Sequence, residues 1–127
     1  MPASSAIGST RDQRDRASRT HGGRWSRWQD RRRTAVAARV VWDALCQLEV
    51  TLKRPLPDAA RQERAVAEAH AEVQAVWARY GFSLATHLDA SHRSVVQRAV
   101  SVPDDVPHAE WENRLADARD ALATYIR

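Results

Sequence analysis

Apolar residues recur along this chain at helical spacing, and they do so four times. The first stripe is Ala38, Val41, Leu45, Leu48, Leu52, with steps of 3, 4, 3 and 4 that keep one face of a helix turned toward a partner. The second is Val66, Ala69, Val73, Val76, Tyr80, and the last is Trp111, Leu115, Ala118, Leu122, Tyr125. Between them Leu88, Val95, Val96 and Ala99 outline a shorter helix. No segment alternates apolar and polar residues between Gly or Asn turns, so no strand is expected.

The punctuation agrees with the stripes. Pro55 and Pro57 cannot continue a helix, Asp58 stands where an N-cap belongs, and Pro103 stops the third helix. Asp89 is placed to cap that third helix, and Asp104 or Asp105 to cap the fourth, which is entered through Pro107. Gly81 is ambiguous. It could close the second helix, or the stripe Trp77, Gly81, Leu84, Leu88 could run straight through it. The spacing favours a helix that runs or kinks through to Leu88.

The expected fold is therefore all-α, a four-helix bundle with helices over 24–53, 58–88, 90–101 and 106–127. Trp42, Leu45, Leu48, Val73, Trp77, Leu84, Leu88, Val95, Trp111, Leu115 and Leu122 are its expected core. Trp42, Trp77 and Trp111 each accompany one helix and are read as packed against each other or a common core, rather than as the lining of a ligand pocket.

Composition changes this picture mainly at the amino terminus. The 127 residues fit one domain, which divides into an arm over 1–23 and a helical domain over 24–127. Residues 1–33 hold nine Arg and three Asp, a charge of +6, whereas residues 34–127 hold eleven basic and thirteen acidic residues, a charge of −2. The stretch 1–23 has almost no large apolar residue besides Ile7. It cannot bury enough surface to offset its ordering entropy, so a disordered basic arm is expected. The longest apolar run, 35–50, contains Arg39, Asp43 and Glu49, too many charges for a membrane span. With no secretory leader pattern and a single cysteine, the expected location is cytoplasmic.

The sequence carries no catalytic constellation. No Glu-x-x-His pair exists for a dinuclear metal site; His70 and Glu72 lie two apart, and His87 and His92 five apart. Cys46 sits mid-helix, where a thiol behaves as a small hydrophobe. There is no Gly-x-Ser-x-Gly and no phosphate-binding Gly-rich loop. The acid pairs Glu68 and Glu72, Asp104 and Asp105, and Glu110 and Glu112 read as solvated or helix-start residues. Glu110 with Arg114 and Glu49 with Lys53 read as exposed ion pairs. No enzyme, metal, cofactor or small-molecule substrate is expected.

The feature that stands out is basic. Arg24, Trp25, Arg27, Trp28, Arg31, Arg32 and Arg33 interleave guanidinium groups with two indoles. Arginine can neutralise phosphates while tryptophan stacks on unpaired bases. The same mixture suits an anionic membrane surface. Alternatively, Trp25 and Trp28 simply begin the first helix, in line with Ala35 and Ala38.

The segments Arg39-Val40-Val41-Trp42-Asp43-Ala44-Leu45, Trp77 through Leu84-Ala85-Thr86-His87-Leu88, and Val95-Val96-Gln97-Arg98-Ala99 resemble a type of small helical module of high-GC Gram-positive, actinobacterial origin. That resemblance implies four helices and no activity; members often carry a membrane helix upstream, where this chain has its Arg-rich arm. The first expectation for function is a non-enzymatic protein-interaction module, an adaptor or a homo-oligomer. Sequence-nonspecific nucleic-acid binding through the Arg/Trp segment is the alternative, and association with an anionic membrane surface the third.

Overall fold

A computed structural model describes the backbone of residues 2–101 and 106–126, and side chains from Arg24 onward within those limits. Four helices follow in order: α1 over Pro2–Lys53, α2 over Ala59–Ala85, α3 over Ala90–Val100 and α4 over His108–Ile126. No strand occurs among the described residues. The chain divides into two compact units, residues 1–33 and residues 34–127, and the four-helix body belongs to the second. The expectation of a disordered arm over 1–23 falls outside the residues whose side chains are described.

The core of the second unit follows the stripes. Ala38, Val41, Leu45, Leu48 and Leu52 of α1 are all buried, as are Trp111, Leu115, Ala118 and Leu122 of α4. Leu84, Leu88, Val96 and Ala99 close the cluster from α2, α3 and the turn between them. Of the α2 stripe only Val73 is fully enclosed; Val66, Ala69, Val76 and Tyr80 pack against the core from its margin. Three expected core residues are likewise marginal: Trp42, Trp77 and Val95 are half-buried. Indoles are seldom wholly enclosed: Trp111 is buried, while Trp42 and Trp77 rest on the edge of the core.

The helix ends have local causes. α1 stops at Lys53 because Arg54 precedes Pro55, and the residue before a proline is pushed out of the helical region. Gln62 then staples the turn: its Nε2 donates to the Thr51 carbonyl at 3.0 Å, and its Oε1 accepts from the Leu56 N–H at 2.9 Å. Asp58 caps α2 as the spacing requires, its Oδ1 accepting from the Ala60 N–H at 2.9 Å. The position expected of Asp104 or Asp105 as cap of α4 lies outside the described residues.

Gly81 lies inside α2, so the helix does run through it, but it ends at Ala85, three residues short of Leu88. The Thr86 hydroxyl donates to the Ser83 carbonyl at 2.7 Å, and the His87 and Leu88 N–H groups both turn back onto the Leu84 carbonyl. Gly81 has a reason to be glycine. A Cβ there would stand 2.7 Å from Cδ2 and 2.8 Å from Cε2 of Trp77, closer than a side-chain carbon can approach the indole. Gly81→Ala is expected to lower stability despite alanine's advantage in helices of about 1 kcal/mol, because the indole must leave its place. A urea titration showing a stabilised variant would contradict that placement of Trp77.

Candidate functional site

Residues 24–33 belong to α1, within the first unit. Arg24, Trp25, Arg27, Trp28, Arg31, Arg32 and Arg33 are all exposed, with Trp25 at 61% and Trp28 at 50% of full accessibility. The two tryptophans therefore do not begin the helix: α1 starts at Pro2, ahead of the start expected at Arg24, and both indoles stand exposed within it, outside any core among the described residues. At 100° per residue, the first six of these seven side chains fall within an arc of about 160°, and Arg33 lies opposite. Asp30, the only acid in this stretch, projects outside the arc.

The indoles are stacked on one another, with ring centroids 5.3 Å apart and planes inclined by 28°. The Arg32 guanidinium carbon lies 5.4 Å from the centroid of the Trp28 ring, a cation–π distance. The result is a short aromatic plate flanked by guanidinium groups on one helix. Such a face can take anionic groups at its arginines and flat groups at its tryptophans.

Several polar groups of the second unit are engaged structurally. No cluster of three or more metal-ligating side chains exists among the described residues. Glu110 and Arg114 form the exposed pair their spacing implies, at 2.8 Å. Glu49 departs from expectation. It bonds Lys53 at 2.7 Å, but it is only 4% exposed, and its second oxygen lies 3.2 Å from Nε of Arg119 on α4. This second contact falls short of hydrogen-bond geometry. Sequence spacing exposed the local partner and concealed the distant one.

Two further clusters were invisible to spacing, since their members lie 30 or more residues apart. The Asp89 N–H donates to the Tyr125 hydroxyl at 3.0 Å, and that hydroxyl lies 2.8 Å from Nδ1 of His92. Because its oxygen already accepts from Asp89, the hydroxyl proton is free to go to His92. Asp89 is indeed the N-cap of α3, yet its side chain makes no capping bond; Tyr125 holds its backbone instead. His70 donates from Nε2 to the Val100 carbonyl at 3.0 Å and meets the Trp111 ring edge-on, with centroids 5.0 Å apart.

Cys46 is half-buried, and burial pushes its thiol above the ordinary value, with Arg119 beside it acting in the opposite direction. A raised value means less thiolate at neutral pH, and thiolate is the reactive form. Alkylation by iodoacetamide at pH 7 is therefore expected to be slower than for a free thiol, accelerating only as pH rises. Fast labelling at neutral pH would show an activated cysteine.

No helix among the described residues is long and apolar enough to cross a membrane. Compared with family models, curated proteins and solved structures, the chain matches none.

Proposed function

We propose that this chain is a non-enzymatic binding module that takes single-stranded nucleic acid, without sequence preference, on the Arg/Trp face of α1. The observation that supports this reading is the shared arc: arginines and a pre-stacked tryptophan pair are solvent-exposed on one side of one helix. Phosphates meet the guanidinium groups of Arg24, Arg27, Arg31 and Arg32, releasing counterions, and bases stack against Trp25 and Trp28. The arc favours nucleic acid over a membrane surface because it offers no aliphatic side chain, and interfacial helices depend on buried apolar area.

The reading is tested by titrating a fluorescent single-stranded oligonucleotide into the full chain at several salt concentrations. Replacing Arg24, Arg27 and Arg31 by Gln is expected to weaken binding and to flatten the log–log salt slope by about 0.7 for each phosphate that is no longer neutralised. An unchanged slope would place the phosphates elsewhere on the chain. If anionic vesicles bind the chain and the oligonucleotide does not, the membrane-surface reading replaces this one.

A second reading, protein interaction through an adaptor or homo-oligomer surface, is favoured by Phe82. It is 87% exposed on α2, more than any other large apolar side chain among the described residues. Sedimentation velocity is expected to show a concentration-dependent oligomer that Phe82→Ser dissolves. A strict monomer would count against self-association.

A further inference from the structure

The second unit contains a cavity of about 570 Å³ between α2 and the start of α4. Small-molecule sites commonly occupy roughly 300–1,000 Å³. The space exists because α2 presents Ala67 and Ala71 there, where longer side chains would reach across to α4. Trp111, buried itself, supplies an aromatic wall. Among the three tryptophans Trp42, Trp77 and Trp111, it is the one that lines this space.

Glu63 and His70 place acceptors around the cavity, while the indole N–H of Trp111 is a buried donor with no hydrogen-bond partner among the described residues. The Gln62 amide is already committed at both ends to the α1–α2 turn. Glu63 carries a carboxylate with no ion pair among the described residues. His70 bonds a carbonyl oxygen through Nε2, which must therefore carry a proton, and in that tautomer Nδ1 is the acceptor nitrogen of the ring. Glu63 and His70 are seven residues apart on one face of α2, a separation of about 10.5 Å along the axis. Gln74 and His108 complete the rim.

A carboxylate at one end, an imidazole acceptor at the other and an aromatic wall with an alanine floor between them define a complementary shape. We propose that this cavity binds a flat aromatic cation carrying a second N–H donor at its far end, of the arylamidine or arylguanidine class. The cationic group pairs with Glu63, the ring lies over Ala67 and Ala71 against Trp111, and the distal N–H donates to Nδ1 of His70. This site is independent of the Arg/Trp face, whose charge repels such a ligand.

The probe pair is 4-aminobenzamidine and 4-aminobenzoate, which share ring and amine and differ in the sign of the other end. Isothermal titration of the full chain is expected to show one 4-aminobenzamidine bound, at least ten-fold more tightly than the benzoate. Glu63→Gln is expected to weaken amidine binding about ten-fold. Ala67→Trp, at an exposed position facing the cavity, is expected to abolish it while the helical circular dichroism spectrum and its melting curve persist. Should that variant fail to fold, Glu63→Lys at the solvated rim serves in its place and is expected to abolish binding as well. Absence of amidine binding, or amidine binding indifferent to these substitutions, overturns the site. Benzoate binding that Ala67→Trp removes overturns the assignment of charge.

Discussion

Trp111→Ala is expected to cost about 3–5 kcal/mol of stability, the range for deleting a buried aromatic side chain. Trp111 is 8% exposed and packs on the α4 stripe that continues through Leu115, Ala118 and Leu122. Small domains have only about 5–15 kcal/mol in all, so this variant stands near the threshold of unfolding. Trp77→Ala is expected to cost clearly less, because that indole is half-buried and part of its surface already meets water. Paired urea titrations decide the order. Equal losses would mean that Trp77 is as deeply packed as its helical spacing implies.

Arg119→Met is expected to have the second-largest effect, about 3 kcal/mol. Removing one member of a buried ion pair leaves the other charge uncompensated, which commonly costs roughly 3–5 kcal/mol. Glu49 is buried, and Arg119 is its only partner from another helix among the described residues. The value lies at the lower end because Lys53 still bonds the other Glu49 oxygen and Arg119 is partly solvated. Replacing both Glu49 and Arg119 by Met is expected to recover much of the stability, since no buried charge then remains and the Lys53 ammonium left behind is exposed to water. If Arg119→Met is neutral, the pairing between α1 and α4 contributes nothing.

What the amino-acid pattern reveals and what it hides divide along one physical line. Helix type, helix ends and the main stripes depend on neighbours three or four residues away, so Pro55, Asp58 and the 3-4 spacing of Ala38 to Leu52 are sufficient to locate the end of α1 and the start of α2, whereas the start of α1 at Pro2, ahead of any apolar stripe, carries no such signal. Depth of burial depends on how far the facing helix reaches. That is why Trp42, Trp77 and Val95, correctly placed on inward faces, lie at the margin of the core. Groups joined over long separations left no local signal at all. Glu49 with Arg119, His92 with Tyr125, and the His70–Trp111 contact beside the α2–α4 cavity are all of this kind. The end of α2 at Ala85 belongs with them, since Leu88 and Asp89 are drawn into the turn that Tyr125 holds. The Arg/Trp segment was legible because its meaning is compositional; the structure adds that its side chains are exposed and that the two indoles stack.

Central to the proposed function is a stacking surface, formed by Trp25 and Trp28 within a cationic face. The most direct measurement is the salt dependence of single-stranded oligonucleotide binding, compared between the native chain and one carrying Trp25→Ala and Trp28→Ala. The expected result is a loss of about 1–3 kcal/mol of binding free energy for each stacked base, with the salt slope nearly unchanged because every arginine remains. Equal affinity in the two chains, or no binding by either at low salt, would contradict it.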